Sequence, residues 1–332
     1  MLKHFIIFLA LTSLSFSQNI NNSKFKISLE NYRVNGIATL EKDMDKELST
    51  QEYWNRYLQD KDTKFGYIEE YSSVLACNKE KSTLTLYIQN SDDKYEFIKE
   101  HNAYTGENKG DKIQEGDKKT PIGIYQIVDK LSKDTNLDPF YGPLAFVTSY
   151  PNTYDTFRGK NGSGIWIHGL PTKQTRDEFT RGCIAIQNSN IECLNRNINI
   201  KNTLLIIDKD EVQQDISKET LANILSSLYQ WRYAWLYNDV ETYLSFYAND
   251  FVRFDGMKYD RFKNYKTRIF KKTEKKTIIF NDINVLPYPN TENIYQITFK
   301  EYYKSDSFQF TGDKTLMVRL TSDNKLKIFT EK

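Results

Sequence analysis

The chain has 332 residues and a formal net charge of +2, with 27% charged, 39% hydrophobic and 14% aromatic residues. That length exceeds one ordinary domain and points to two or three, while only 14 Gly and 7 Pro exclude a collagen-like or wholly disordered chain. The near-balance of charge argues against bulk electrostatic binding of nucleic acid, and no nucleic-acid partner is expected.

Residues 1–17 read as a secretory signal peptide. Met1 and Lys3 make a short positive start, Phe5 to Phe16 is apolar, and Ser15 and Ser17 occupy small-residue positions before Gln18. The apolar core is about a dozen residues, short of the roughly 20 that span a bilayer. An uncleaved anchor is the alternative, and no Cys follows the cleavage position to carry a lipid. Export to the periplasm is the expectation.

Residues 18–74 form a polar accessory segment with one helical stretch near Leu48 to Leu58, where Tyr53, Trp54, Tyr57 and Leu58 recur at helical spacing. It is expected to pack on another part of the molecule, and a homodimer through it is left open. Residues 75–212 read as a compact β-rich domain: Leu84, Leu86 and Ile88 alternate with polar residues, Ile122 to Val128 follows, and Thr203 to Asp208 closes it. Turn residues such as Gly106, Gly116, Pro121 and Gly142 punctuate the strands.

Residues 213–332 change pattern. Leu221, Ile224, Leu225, Leu228, Trp231 and Trp235 fall on one helical face, then Tyr243, Tyr247 and Phe251 on a second. Alternating strands follow at Thr277 to Ile283, Asn293 to Tyr302, Leu316 to Leu320 and Leu326 to Phe329. Helices followed by a curved antiparallel sheet make an α+β cone. Lys258 to Lys276 carries nine Lys or Arg, read as a solvated helix face or as a contact to an anionic surface.

An exported chain with three cysteines leaves at least one unpaired within the chain. Cys193 reads as a small half-buried hydrophobe, and a Cys77–Cys193 bridge is not deducible. Cys183 differs, because Arg181 and Gly182 precede it and the apolar run Ile184, Ala185, Ile186 follows. A Gly-Cys step at the mouth of a strand exposes the thiol while anchoring the chain beyond it. Of the histidines at 4, 101 and 168, His4 leaves with the signal peptide. His168 lies near the end of the strand-like Gly164-Ile165-Trp166-Ile167-His168-Gly169, with 14 residues between it and Cys183. A thiol of ordinary pKa is only a few per cent thiolate at neutral pH, so an adjacent imidazole is the usual activator.

His168-Gly169 followed by Thr180-x-Gly182-Cys183 resembles the signature of the L,D-transpeptidase catalytic (YkuD-like) domain, and Lys119-Thr120-Pro121-Ile122-Gly123 resembles its upstream segment. The C-terminal stretch, with Trp231-x-x-x-Trp235, Asp239, Tyr243, Tyr247 and Phe254-Asp255-Gly256, is similar to NTF2-like domains. Together they resemble the cell-shape peptidoglycan L,D-carboxypeptidases of Campylobacter- and Helicobacter-type bacteria.

The resemblance implies a mainly β catalytic domain, a YkuD-like β-sandwich with short helices, joined to an NTF2-like cone and a small N-terminal helical segment. It implies Cys183, His168 and Gly169 as catalytic residues, substrate contacts at Arg181, Gly182, Trp166 and Thr180, peptidoglycan stem peptides as partner, and no metal or cofactor. Family members commonly carry Arg two residues after the Cys, where this chain has Ala185; Arg181, two residues before it, is taken to meet the substrate carboxylate. Backbone N–H groups near Gly182 and Cys183 would hold the oxyanion. The implied activity is removal of terminal D-Ala from tetrapeptides. The alternatives are cross-linking by transpeptidation and a non-catalytic wall-fragment binding protein.

Overall fold

Strand periodicity begins in earnest at Ser73, and the residues ahead of it take their order from elsewhere in the chain. The computed structural model describes residues 26–171 and 178–332, so the signal-peptide reading of residues 1–17 lies outside the described residues. Residues 26–35 are helical, followed by helices α1 (Ile37–Leu48) and α2 (Gln51–Tyr57) and the short strand β1 (Tyr67–Ile68). Thr50 caps α2 by accepting from the Tyr53 N–H, and the Trp54 indole donates to the Leu48 carbonyl at 2.7 Å.

Trp54, Leu58 and Tyr67 are buried in the same cluster as Leu221, Leu225 and Leu228 of the C-terminal part. Arg232 reaches back to Asp45 of α1 at 2.7 Å. The accessory segment therefore completes the core of the C-terminal domain.

Eight strands then close into one ring: β2 (Ser73–Asn78), β3 (Thr83–Gln89), β4 (Tyr95–Tyr104), β5 (Gly123–Ser132), β6 (Leu144–Thr148), β7 (Trp166–His168), β8 (Ile184–Ile186) and β9 (Thr203–Asp208). Their order is β2-β3-β4-β8-β7-β6-β5-β9, with β2/β9 and β7/β8 parallel and the remaining neighbours antiparallel. The expected mainly β domain is thus present, its faces joined through continuous pairing.

The unbroken apolar runs of β2 and β9 have a physical reason. Leu75, Cys77, Leu205 and Ile207 point into the barrel core, whereas Val74, Ala76, Leu204 and Ile206 join a second cluster with Leu286, Tyr288, Met317 and Phe329 of the C-terminal sheet. Both faces are buried, so polar alternation is lost.

Two short helices, α3 (Thr153–Phe157) and α4 (Asn188–Asn197), belong to the barrel domain, and the C-terminal part contains α5 (Lys218–Leu236), α6 (Val240–Ser245) and α7 (Tyr259–Phe270). The strands β10 (Lys276–Pro287), β11 (Ile294–Ser305), β12 (Gln309–Leu320) and β13 (Leu326–Glu331) form an antiparallel sheet in the order β1-β10-β11-β12-β13. Ser217 and Asp239 cap α5 and α6. The stripe Trp231, Trp235, Tyr243 and Tyr247 is core, with Trp231 and Tyr243 stacked at 5.5 Å. The β11–β12 hairpin is longer than the alternation indicated. Its tip carries exposed Phe308 and Phe310, where solvent on both faces removes the pattern. No helix among the described residues is long and apolar enough to cross a membrane.

The basic stretch of α7 is not uniformly solvated. Phe262, Lys266 and Phe270 are spaced by four, and this stripe faces the cone. There the Lys266 ammonium lies 4.8 Å from the Trp235 ring centroid and 5.2 Å from that of Tyr243. It borders a cavity of about 290 Å³ that also meets Glu301, Tyr303 and Phe308. Burial pushes Lys266 down to about 8, against the opposing pull of Glu331.

Between that value and the ordinary lysine range the unfolded chain binds the extra proton, so the Lys266 contribution to stability rises with pH from about 8 to about 10.4. Thermal unfolding of the wild type against Lys266→Met is expected to show a gap that changes in the wild type's favour across that window. A gap independent of pH would show that Lys266 titrates as in water.

Candidate active site

The geometry of the site follows from strand register. β7 and β8 are parallel, with Ile167 opposite Ile184 and His168 opposite Ala185. Residues opposite one another share a face, and alternate residues share it along a strand. Ile167, Ile184 and Ile186 fill the barrel core. Trp166 and His168 therefore stand on the other face together with Ala185 and, one step before β8, Cys183. The sequence pattern Trp-Ile-His and Cys-Ile-Ala-Ile is what two short strands need to present a base and a thiol side by side while anchoring both.

His168 is buried, and its Nδ1 lies 2.6 Å from the Gly169 carbonyl oxygen. When Nδ1 carries the proton and donates to that carbonyl, Nε2 is left as the basic atom. Gly169 is required by space: a Cβ there would come 2.4 Å from Asn188 Oδ1 and 2.8 Å from Pro143. Asn188, at the start of helix α4 (Asn188–Asn197), accepts from the Leu170 N–H at 2.7 Å and donates to the Leu170 carbonyl at 3.0 Å, fixing the chain just beyond the histidine.

The Cys183 thiol donates to the Gly164 carbonyl at 3.4 Å, and the side chain is half-buried. None of the three cysteines is in a disulfide. Cys77 lies in the barrel core, where burial pushes its thiol up to about 12 and keeps it protonated.

The turn that presents Cys183 is built from three segments. Gly182 sits at φ +130°, and a Cβ would meet the Lys119 carbonyl oxygen at 2.9 Å and Ile165 Cδ1 at 3.2 Å. The Lys119-Thr120-Pro121 segment is thus the wall against which the nucleophile turn rests. Thr120, fully buried, accepts from the Gly106 N–H at 2.8 Å. Gly106 and Thr180 form a parallel bridge. The two sequence motifs meet in space as mutual supports.

Thr180, expected to touch substrate, is buried, and its hydroxyl donates to the Cys183 carbonyl at 2.7 Å while accepting from the Gly182 N–H at 3.0 Å. It holds the turn. For the same reason the Gly182 N–H, expected to serve the oxyanion, is already committed to Thr180. Arg181 is exposed in the turn before Cys183. Ala185 is fully buried, opposite Tyr104 on one side and His168 on the other in register, and its methyl reaches no substrate carboxylate.

Sequence reasoning missed Tyr141. It ends a short turn, Pro139–Tyr141, capped by Asp138, and its ring meets the His168 ring edge-on at 5.0 Å and that of Trp166 at 5.0 Å. Trp166 and Tyr141 together wall the imidazole. The available signal was a pair of aromatics, Phe140-Tyr141, within the turn-forming Asp138-Pro139 and Gly142-Pro143 context. The described residues contain no cluster of His, Cys, Asp and Glu arranged to hold a metal ion.

Behind the site, Lys160 is ion-paired to Asp155 at 2.9 Å and to Asp111 at 2.6 Å, and Asp155 also receives Arg158 at 3.0 Å. Lys160 and Asp155 are buried. Asp111 in turn accepts from the Ile122 N–H at 2.8 Å, so the network ties the Pro121-Ile122 segment to the loop leading into β7.

Residues 72–207 match the family model of the L,D-transpeptidase catalytic domain, and residues 223–332 that of the Cds6 C-terminal NTF2-like domain. Among solved structures the chain is similar to the helical cell shape determining protein Pgp2 from Campylobacter jejuni, in a point variant and in the unmutated form. Identity is 40% in each, over 86% of this chain and 99% or 100% of that one, with TM-scores of 0.79 and 0.78. It is also similar to Bd1075 from Bdellovibrio bacteriovorus, at 27% identity over 82% of this chain and 96% of that one, TM-score 0.63. No curated protein matches the chain.

Proposed function

Because the chain belongs to the L,D-transpeptidase-domain family, in the two-domain form with a C-terminal NTF2-like domain that Pgp2 shares, we propose that it is an exported cysteine peptidase of the cell wall. In this reading it removes the terminal D-Ala from peptidoglycan tetrapeptides and thereby affects cell shape. The observation that carries it is the placement of His168 and Cys183 on one face of adjacent parallel strands, with the imidazole oriented through Gly169.

The chemistry then runs as follows. His168 Nε2 takes the Cys183 proton, and the thiolate attacks the carbonyl between the third residue and D-Ala. The C–N bond breaks, the D-Ala amine leaves with the proton held by His168, and a thioester remains. Water gives its proton to His168 and its oxygen to the acyl carbon, releasing tripeptide and the thiol. Trp166 and Tyr141 form the wall beside the reacting atoms.

Arg181 meets the terminal carboxylate of the stem peptide, a role the alanine at position 185 cannot take. Arg181→Ala is expected to lower kcat/KM by about ten- to a hundred-fold on tetrapeptide substrate, the loss of one charge-assisted bond. The check is the steady-state kinetics of D-Ala release, and an effect no larger than that of an Ala at exposed Lys130 would place the carboxylate elsewhere.

The substrate test is incubation with purified tetrapeptide, pentapeptide and cross-linked muropeptides followed by mass analysis. Tetrapeptides are expected to be shortened by one D-Ala while pentapeptides stay intact, and loss of D-Ala from pentapeptides alone would defeat the reading. Transpeptidation is the second reading, because it shares every step up to the thioester. A periplasmic location and a homodimer through the N-terminal segment, where Ile27, Val34 and Ile37 are exposed, belong to the same proposal; fractionation and solution mass read them out.

A further inference from the structure

Between the barrel and the cone run two cavities of about 320 and 290 Å³ that share the corner Pro151-Asn152-Thr153 and Lys332. We infer that this crevice is a saccharide-binding groove, shaped for a neutral, hydroxyl-rich glycan. Three observations carry the inference.

The first is the chemistry of the walls. One half presents two exposed aromatics, Phe157 from the barrel's short helix Thr153–Phe157 and Phe254 from the cone, 36% and 59% exposed. The other half is lined by amides and hydroxyls, among them Gln126, whose amide donates to the Tyr71 hydroxyl at 2.6 Å, Ser149 and Thr298, whose oxygens accept from the Gln126 N–H and the Asn284 amide, and Thr315. A sugar ring has an apolar face of C–H groups that packs on an aromatic ring and a polar rim that exchanges hydrogen bonds with amides and hydroxyls.

The second observation is charge. Arg253, in the aromatic half, is matched by Asp255 through two contacts at 3.0 and 2.6 Å, and Lys332 on the shared corner and Asp313 in the other half carry opposite signs. Such a groove does not select a phosphate or an anionic polymer.

The third is rigidity. The Asn152 amide donates to the Ile124 carbonyl and to the Tyr288 hydroxyl, each at 2.9 Å, pinning the shared corner across the domain boundary. The Arg158 guanidinium lies 4.3 Å from the Tyr154 ring centroid and 5.6 Å from that of Tyr288. The groove is formed before any ligand arrives, and domain boundaries are where such pockets occur.

Position gives the groove its use. β6 starts beside the candidate active site, where the Gly169 N–H donates to the Leu144 carbonyl, and ends at Thr148, one residue before Ser149 enters the groove wall. The two sites lie roughly 15–20 Å apart along one strand. Resting on the wall-enzyme reading for this consequence alone, a glycan strand in the groove would deliver its stem peptide toward Cys183.

The probe is the tetramer of N-acetylglucosamine, which carries neither peptide nor charge, titrated calorimetrically into the full chain. Binding is expected. Phe254→Ser, at an exposed position, and Thr315→Val, which keeps the side chain's shape, are expected to weaken it about ten-fold each with unchanged melting temperature, whereas Cys183→Ala leaves it unchanged. Absence of binding at millimolar tetramer, or equal affinity in the groove variants, overturns the inference. Tighter binding of a sulfated oligosaccharide overturns it in favour of an anion site. Turnover of a short stem-peptide substrate lacking sugar is expected to be normal in both groove variants, so a failed groove and a failed active site give different results.

Discussion

Replacing Cys183 by Ala is expected to abolish release of D-Ala, by on the order of 10⁴-fold or more, with the folded chain intact. The side chain is half-buried at the end of a turn whose bonds are made by Thr180, Gly182 and the Cys183 backbone, so its sulfur is not what holds the turn together. His168→Ala is expected to have nearly the same effect, since nucleophile and base act as a unit and their losses do not add. Cys77→Ser and Cys193→Ser test the assignment from the other side and are expected to retain catalysis if they fold. Steady-state assay beside near-UV circular dichroism separates lost chemistry from lost fold, and a folded Cys183→Ala protein with full activity would remove the thioester step.

The second large effect concerns the boundary between the domains. A chain ending near residue 212 is expected not to fold into a soluble barrel. Val74, Ile124, Tyr154, Leu204 and Ile206 all pack into the cluster completed by Leu286, Tyr288, Met317 and Phe329. Burying an apolar side chain of this size is worth roughly 1.5–3 kcal/mol. Five of them approach the whole net stability of an ordinary domain, about 5–15 kcal/mol. The truncation also removes the partner strand of β1, since Tyr67 pairs with Val285. Solubility and the cooperativity of thermal unfolding report the outcome; a soluble, cooperative and active fragment would show that the cone is dispensable for the barrel. A loss of wall activity in this fragment would therefore be a loss of structure first.

What could be read ahead of the structure was what short-range pattern encodes. Trp166-Ile167-His168 and Cys183-Ile184-Ala185-Ile186 each alternate with period two, which sets base and thiol opposite the apolar side of their own strands, while the parallel register that puts them on one face comes from the fold. Trp231, Trp235, Tyr243 and Tyr247 carry the helical spacing of a buried stripe, which is where they lie.

Long-range closure was not legible. The barrel is sealed by the parallel pairing of Val74 with Leu204, and nothing local in either strand names its partner. Side-chain satisfaction was also hidden: Thr180 resembles a substrate contact in a motif, but its hydroxyl has two partners within its own turn. Lys266 was lost among nine basic residues, although Phe262 and Phe270 four positions to either side mark it as facing the cone. Tyr141 and Asn188 reach His168 and its flanking chain from turns and helix ends whose approach depends on the fold.

The route from thioester to product is decided by one reaction, the incubation of disaccharide-tetrapeptide with the enzyme in water enriched in heavy oxygen, followed by mass analysis of every product. Hydrolysis of a Cys183 thioester puts one heavy oxygen into the new carboxylate of the tripeptide and releases D-Ala unlabelled, because D-Ala leaves as an amine before water enters. That pattern, absent in Cys183→Ala, is the expected result. Unlabelled cross-linked dimers in place of labelled tripeptide, or labelled tripeptide formed equally well without Cys183, would contradict it.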